Sequence, residues 1–155
     1  TVYVAASDAP ADALIAAVQA SPVLFSLRTT VPLATLAELT RLSPERIVIV
    51  GGPVRVDQKV LAALGDFFPA ATVERSGGAD RYETAALFTK VWQRRVLLVG
   101  GSSDRVDSIA AAATAALTNT AILFSERTCA PQATHRLLEG RKVLTLGALG
   151  TQMCR

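Results

Sequence analysis

Short runs of β-branched and aliphatic residues alternate along the chain with longer segments in which Ala and Leu recur at helical spacing. This alternation is typical of βα units, which build a parallel sheet with helices on its faces. Most of the short runs are apolar without interruption, as expected of strands that are buried on both sides. The pattern predicts seven strands, at Val2–Ala6, Val23–Ser26, Arg46–Val50, Thr72–Glu74, Val96–Gly100, Ala121–Ser125 and Lys142–Leu146.

Six helices are predicted between these strands, because a capping residue or a proline precedes or opens each Ala/Leu-rich segment. The six starts are marked by Asp8 with Pro10, Pro32, Asp57, Asp80, Asp104 and Pro131. No linker rich in Pro, Gly or Ser divides the chain. We therefore expect residues 1–155 to form one compact α/β unit, a Rossmann-like three-layer fold with helices on both faces of parallel sheets.

The chain also resembles itself. The twelve residues Leu24–Thr35 align with Leu123–Thr134, and eight of the twelve positions are identical. The register extends beyond this segment, since Asp12 aligns with Asp107. Such self-similarity indicates an internal duplication with small insertions and deletions in loops. Each copy is expected to contain strand, helix, strand, helix, strand, and the helix that starts at Asp80 joins the two.

Composition narrows the classes of protein to which the chain can belong. Apolar residues make up 50% of the 155 residues and charged residues 19%, which excludes a disordered tail. The net charge of +3 permits an anionic partner but falls short of the signature of a nucleic-acid-binding protein. The longest uncharged stretch, Ser108–Ser125, carries polar residues in its second half, so it predicts a buried helix and a strand rather than a membrane span.

The segment Arg75–Ala85, Arg-Ser-Gly-Gly-Ala-Asp-Arg-Tyr-Glu-Thr-Ala, resembles the opening signature of the type-2 cell-wall-binding repeat of Gram-positive surface proteins. Asp12–Ala17, Pro22–Phe25 and Ile47–Gly52 are similar to further family features, so the resemblance covers essentially the whole chain. It implies a Rossmann-like module, used in tandem copies, that anchors secreted proteins non-covalently to the wall through anionic secondary polymers. It also implies an extracytoplasmic location, in the cell wall or secreted.

The chain departs from the family pattern at both ends. Family modules usually begin with the Arg-Tyr-Glu-Thr-Ala helix, which the first copy, residues 1–70, lacks. The second copy, residues 71–155, stops before a helix that would match Asp57–Leu64. We therefore expect two duplicated, partly truncated repeats. Tandem modules are common in the family, so it stays open whether this unit acts alone or as a homo-oligomer.

In open parallel sheets, ligands bind beyond the carboxyl ends of the strands, where helix N-termini attract anions. The duplicated loops lie at such ends and carry hydroxyl and guanidinium groups just before helices. The candidate ligand-binding residues in these loops are Ser26, Arg28, Thr29, Ser125, Arg127 and Thr128. They suit an anionic cell-wall polymer or a peptidoglycan-associated glycopolymer. Alternatively, Thr29 and Thr128 only support helix N-termini while both arginines are solvated.

Asp80 and Glu83 form a predicted capping box, in which Asp80 accepts from the amide of Glu83 and the Glu83 side chain returns to the amide of Asp80. Arg81, the seventh candidate ligand-binding residue, has two interpretations: it binds an anion, or it clamps a neighbouring loop. Asp12 and Asp107 are predicted in the first turns of helices, where negative charge favours the helix dipole. We expect a stabilising role for both.

Residues suited to catalysis are few. The only histidine, His135, aligns with Leu36 and is expected at a half-buried helical position, and the chain has no Gly-x-Ser-x-Gly motif. One His and two Cys do not make a structural zinc site. The loops Gly51–Pro53 and Gly100–Asp104 fit neither the dinucleotide fingerprint nor a P-loop. The sequence thus predicts no catalytic residue, no cofactor and no metal.

Cys129 follows the sixth predicted strand and Cys154 the seventh, on loops at the same edge of the sheet. Their proximity is expected if those two strands are neighbours, and we predict a disulfide that closes 24 intervening residues. The alternative is an unpaired buried thiol at each position. An even pair of cysteines in a small domain suits an oxidising compartment.

The leading prediction is a non-catalytic module that anchors a secreted protein by binding an anionic cell-wall polymer. The alternative is a protein-interaction or oligomerisation module of the envelope, in which the diverged second copy has lost the polymer site. A third hypothesis, a nucleotide- or sugar-binding enzyme of Rossmann-like shape, depends on fold analogy alone.

Overall fold

A computed structural model describes residues 1–90, 92–100 and 105–155, with side chains described throughout these ranges except at residues 105–108. Within them, seven strands alternate with six helices in the predicted order. The strands are β1 (Val2–Ala6), β2 (Val23–Ser26), β3 (Arg46–Val50), β4 (Thr72–Ser76), β5 (Arg95–Gly100), β6 (Ala121–Ser125) and β7 (Lys142–Thr145). The helices are α1 (Pro10–Ala17), α2 (Leu33–Leu42), α3 (Gln58–Phe67), α4 (Arg81–Phe88), α5 (Arg105–Thr118) and α6 (Gln132–Leu138).

The first sheet is four-stranded and parallel, with the order β2-β1-β3-β4. Its inner strands are runs of β-branched residues, which suit a pleated surface that is covered on both sides. Along β3, Ile47 and Ile49 pack in one core cluster with residues of α2 and α3, whereas Val48 and Val50 belong to a second cluster on the opposite face. The alternation of side chains therefore buries both faces of this sheet.

The second sheet has three parallel strands in the order β6-β5-β7, the same arrangement as β2-β1-β3. Its register places Leu98 of β5 opposite Leu123 of β6 and Thr145 of β7. The residues Val96–Val99 of β5 are all buried. In each sheet the chain thus enters on an inner strand, adds a neighbour on one side, and then crosses to the other side.

A layer of helices lies between the two sheets and is shared by them. One core cluster contains Ile15 of α1, Val48 of β3, Phe88 of α4, Leu98 of β5 and Phe124 of β6. Helix α4 follows β4 of the first sheet but packs against β6 and α6 of the second. The two sheets are therefore held together by one continuous apolar core.

Three strand boundaries differ from the prediction. β4 extends to Ser76 instead of ending at Glu74, β5 begins one residue earlier, and β7 ends one residue earlier. β4 is longer because Arg75 and Ser76 continue the pairing with β3, and the Arg75 guanidinium finds acceptors in the loop after β3. A polar side chain therefore does not end this strand.

The helix starts confirm part of the sequence signals. Asp57 and Asp80 are N-caps whose carboxylates accept from backbone amides, as predicted. Pro32 and Pro131 occupy the N-cap position itself, without a side-chain cap. The start predicted at Asp104 and the side chain predicted in a first turn at residue 107 lie outside the described residues.

The uncharged stretch that predicted a helix and a strand forms the end of α5 and all of β6. Helix α5 is less buried than expected, because several of its apolar side chains face solvent. Across the residues that the structure describes, no helix is long and apolar enough to span a bilayer. His135 is half-buried in α6, like Leu36 in α2, as the alignment of the two copies predicts.

Candidate ligand-binding site

The segment that resembles the family signature joins the loops after β3 and β4. The Arg75 guanidinium donates to the carbonyl oxygens of Gly51, at 2.9 Å, and Val56, at 2.7 Å. Gly77 lies so close to the backbone of Gly51 that a Cβ at residue 77 would be 2.4 Å from the Gly51 carbonyl carbon. The signature residues therefore have a structural role, which is to hold two strand ends together.

Helix α4 begins with a capping arrangement that differs from the prediction in one bond. Asp80 Oδ1 accepts from the amides of Tyr82 and Glu83, both at 2.8 Å, as expected. The Glu83 carboxylate accepts from the amide of Ala79, at 2.8 Å, instead of the predicted amide of Asp80. Gly78 packs closely on the Glu83 side chain, where a Cβ at residue 78 would lie 2.2 Å from Glu83 Cβ, and the carboxylate there meets the amide of the next residue, Ala79.

A cleft of about 600 Å³ opens beyond the carboxyl ends of β1, β3 and β4. We call it the switch-point cleft; it is lined by residues 8–12, 52–55 and 78–81 and by Thr84. The name reflects the sheet order, because the chain leaves β1 toward β2 on one side and leaves β3 toward β4 on the other. In open α/β sheets, ligands bind at such a point.

Of the residues that the structure describes, three aspartates and two arginines line the switch-point cleft, and one of the aspartates is buried. Asp12 is 6% exposed and lies against Gly51, where a Cβ would be 2.3 Å from Asp12 Oδ2. Burial raises the pKa of Asp12 to about 6, although the positive charges of Arg55 and Arg81 lower it. At the rim, Arg55 lies 3.9 Å from a carboxylate oxygen of Asp8. The cleft thus contains one carboxyl group that titrates well above its usual range.

Asp12→Asn is expected to make the fold more stable at neutral pH. Folding raises the pKa of this carboxyl group from 3.8 to about 6, so the folded state binds the proton more tightly than the unfolded chain. The carboxyl group therefore lowers stability as the pH rises from about 4 to about 6, and by a constant amount of about 3 kcal/mol above that. Denaturant unfolding should show the gain at about pH 7 and not at about pH 4. An equal gain at both pH values would contradict this account.

The two Arg-Thr pairs are exposed at the ends of β2 and β6, and they consist of Arg28 with Thr29 and Arg127 with Thr128. The main chain of each arginine is held by the segment that follows β3 or β7. The carbonyl oxygen of Arg28 accepts from the Asp57 amide at 2.7 Å, and that of Arg127 accepts from the Gly150 amide at 3.0 Å. The two sheets therefore present their Arg-Thr pairs in the same way.

Ser26 and Ser125 are fully buried, which corrects the expectation that their hydroxyls contact a ligand. The Ser125 hydroxyl lies 2.9 Å from the carbonyl oxygens of both Cys129 and Gly150. It therefore links the turn after β6 to the C-terminal segment. Each serine ends its strand with the side chain turned away from solvent, so its hydroxyl is unavailable to a polymer.

Helices α2 and α6 start without a side-chain cap, so Thr29 and Thr128 do not cap them. The hydroxyls that tie these helices to the sheets belong to Thr35 and Thr134. They donate to main-chain carbonyl oxygens of β2 and β6, at 2.6 and 2.7 Å respectively. Threonine stands at this position in both copies, and this was the sequence signal for the shared role.

Cys129 and Cys154 form a disulfide with a Cα–Cα separation of 4.9 Å. The predicted pair is therefore present, but the two strands that precede the cysteines are not neighbours, because β5 lies between β6 and β7. The C-terminal segment instead returns past the end of β5, where a Cβ at Gly100 would lie 3.6 Å from Leu149 Cδ2, and Met153 forms a β-bridge with Ala130. This return of the chain brings the two sulfur atoms together.

Arg81 lies in the switch-point cleft, where neither Arg-Thr pair contributes a residue. Its neighbour Tyr82 contacts the second sheet and donates its hydroxyl to the carboxylate of Glu126, in the loop after β6. Burial and this hydrogen bond raise the pKa of Tyr82 to about 12. The exposed candidate residues thus lie in three places: the switch-point cleft, the loop after β2 and the loop after β6. Helix α4 connects the cleft with the loop after β6.

Of the cleft residues, Arg55 was not identified from the sequence, Asp8 was identified only as a marker of a helix start, and Asp12 was assigned only a stabilising role. Their grouping depends on the order of strands in the sheet, which local sequence patterns do not contain. The Gly51-Gly52 turn directly after a buried strand was the available signal. In the second sheet, residues 101–104 of the corresponding loop after β5 lie outside the described residues.

Comparisons with known proteins find a matching family model, similar solved structures and a sequence relative. Residues 75–151 match the family model for Cell wall binding domain 2 (CWB2). The fold is similar to that of Cwp6 from Clostridium difficile, with a TM-score of 0.83 and 24% sequence identity, over 93% of this chain and 24% of that one. For Cwp8 from Clostridium difficile the TM-score is 0.80 and the identity 26%, over 93% of this chain and 26% of that one.

Uncharacterized protein MJ0755 from Methanocaldococcus jannaschii is 36% identical over 69 residues, which are 44% of this chain and 20% of that protein. The chain therefore spans about a quarter or less of the length of these three proteins. The family match begins at Arg75, where the signature joins two loops, and it extends through the second sheet. Domains of this family are binding modules and not enzymes. Residues 75–151 are a type-2 cell-wall-binding repeat of the Cell wall binding domain 2 family.

Proposed function

We propose that this chain anchors a secreted protein to the cell wall by binding an anionic wall polymer. Membership of the family supports the wall as the partner. The Arg-Thr pairs support the anionic character of the polymer, because a guanidinium binds phosphate or carboxylate through paired hydrogen bonds. The net charge of +3 adds a modest attraction to a polyanion.

The proposal that the polymer is anionic depends on one observation, which is that Arg28 and Arg127 are both exposed. In the described part of the chain, neither guanidinium has an ion-pair partner. Both therefore keep their full capacity for an external anion. A polymer with repeated charges can engage both arginines at once, and joint engagement turns two weak contacts into stronger binding.

We further propose that the two copies, residues 1–70 and 71–155, each supply one polymer contact. The equivalent strand orders of the two sheets support this division, as do the equivalent bonds to the carbonyl oxygens of the two arginines. The disulfide supports an extracytoplasmic site, because such bonds persist in oxidising compartments.

Arg28→Ala combined with Arg127→Ala is expected to weaken binding to purified Gram-positive wall fragments about tenfold or more. The matched control is Arg94→Ala with Arg95→Ala, which removes two exposed arginines at the opposite, amino end of β5. Both double variants lower the net charge equally, so a difference between them reports position. Co-sedimentation over a range of protein concentrations measures both affinities.

The control variant is expected to bind within about threefold of the wild type. An equal loss in both variants would show that net charge alone attracts the wall. No loss in either would remove the Arg-Thr pairs from the binding site. Either result contradicts the proposal, and thermal melting verifies that the exposed substitutions leave the fold intact.

One surface favours a second candidate function, an interaction or oligomerisation module of the envelope. Helix α5 exposes Ile109 by 62% and Leu117 by 88%, with Ala113 between them at helical spacing. An exposed apolar stripe of this kind is typical of a contact face. Sedimentation equilibrium tests this function: a mass that stays at that of one chain at every concentration would exclude self-association.

A further inference from the structure

We propose that the switch-point cleft is a second ligand site, which binds a single phosphorylated sugar with its phosphate at the N-terminus of α1 and a hydroxyl on the carboxyl group of Asp12. This site is separate from the Arg-Thr pairs, which do not line the cleft. The ligand is a small unit that binds without a polymer. The inference therefore goes beyond wall anchoring and is tested independently of it.

The start of α1 forms the anion-binding half of the cleft. This helix begins at Pro10 and has no side-chain cap. Pro10 has no amide hydrogen, and the amide of Ala13 reaches back to the carbonyl oxygen of Ala9. The amides of Ala11 and Asp12 thus lie in the first turn, where the helix offers them no acceptor, and such amides bind phosphate. Helix α4 differs, because its own N-cap side chain accepts from its first amides.

Asp12 supplies the second, independent feature. Its side chain is buried but lines the cleft, and no residue in the described ranges donates a hydrogen bond to it. This carboxyl group faces the cleft, so a ligand hydroxyl that enters the cleft can donate to it. Glycine at position 51 leaves the space that this carboxyl group occupies. A sugar hydroxyl provides the donor while the phosphate remains at the helix.

The charges around the cleft limit the number of anionic groups that it can hold. Arg55 and Arg81 balance Asp8 and Asp80 in number, and Arg55 is already 3.9 Å from Asp8 at the rim. Asp12 adds negative charge on the floor when it is ionised, so a second phosphate would meet repulsion. The volume of about 600 Å³ lies within the range of small-molecule sites. A monophosphorylated ligand therefore suits the cleft better than a polyanion.

The lining also favours a sugar over a nucleotide. Among the described lining residues there is no aromatic side chain on which a base would stack. The apolar walls are instead small and aliphatic, formed by residues such as Ala9, Pro53 and Val54. A sugar ring presents C–H groups on its faces and hydroxyls at its edge, and these match aliphatic walls and a carboxyl floor.

An NMR titration of the whole chain with glucose 1-phosphate tests this site, with inorganic phosphate and glucose as separate probes. Saturable shifts are expected for the amides of residues 9–12 and 52–55, with an affinity about tenfold or more above that for either probe. Arg55→Ala and Asp12→Ala should each weaken binding about tenfold. Arg55 is exposed, so its variant keeps the test valid if the buried substitution does not fold.

The double variant Arg28→Ala/Arg127→Ala serves as the control and is expected to bind glucose 1-phosphate like the wild type. Loss of wall binding and loss of cleft binding are therefore separable. The proposal is overturned if glucose 1-phosphate produces no saturable shift at the cleft, if phosphate alone binds equally well, or if Arg55→Ala leaves the affinity unchanged.

Discussion

Gly77→Ala is expected to destabilise the fold by about 3 kcal/mol or more. The new Cβ would lie 2.4, 2.6 and 2.7 Å from the carbonyl carbon, carbonyl oxygen and Cα of Gly51. These backbone atoms are held in place, because the Gly51 amide donates to the carbonyl oxygen of Ser76 at 3.0 Å and its carbonyl oxygen accepts from Arg75. The clash must therefore separate the loops after β3 and β4. Equilibrium unfolding in denaturant measures the loss.

Gly65→Ala is the matched control for this substitution. Gly65 lies inside α3, and a Cβ there would have no atom within 4 Å. Alanine at this position should therefore stabilise the protein by about 0.5–1 kcal/mol, because glycine is a poor residue for a helix interior. Opposite signs for the two variants are the expected result. A Gly77→Ala protein as stable as the wild type would mean that the two loops are not packed as described.

Removal of the disulfide in Cys129→Ser/Cys154→Ser is expected to cost about 3 kcal/mol of stability. The bond closes a loop over a sequence separation of 25, and its loss gives the unfolded chain more freedom. Loss of the bond also loosens the C-terminal segment, in which the amide of Gly150 donates a hydrogen bond to the carbonyl oxygen of Arg127. The Arg-Thr pair of the second sheet should therefore become less well ordered than that of the first.

Reductant provides the control for the disulfide experiment. The wild type in reductant should fall to the stability of the double serine variant, and the variant itself should not respond to reductant. Denaturant midpoints with and without reductant measure both effects. A wild type whose midpoint is the same under oxidising and reducing conditions would contradict a stabilising role of the bond.

The strand positions could be predicted from the sequence because burial on both faces requires unbroken apolar runs, as in Ile47–Val50. The end of β4 could not, since Arg75 is polar and its pairing depends on carbonyl oxygens supplied by another loop. Capping by Asp57 and Asp80 was predictable because it is local. Local chemistry is thus visible in the sequence, whereas acceptors that come from distant segments are not.

Prediction of the candidate site from the sequence is limited in the same way, because part of the site depends on segments that are distant along the chain. The exposed positions of Arg28 and Arg127 follow from the duplicated loops, but the burial of Ser26 beside them depends on the direction in which the strand ends. The switch-point cleft requires the strand order, which brings residues after β1 close to residues after β3. Asp12 was therefore assigned to a helix dipole from the sequence, whereas the structure places it on the floor of the cleft.

Co-sedimentation with Gram-positive wall fragments, before and after their anionic polymers are stripped, tests the central claim most directly. The chain is expected to bind intact walls, to lose binding on stripping, and to bind more weakly as salt is raised, because exposed charge contacts are screened. Binding to stripped walls as strong as to intact walls, or no binding to either preparation, would contradict recognition of an anionic wall polymer.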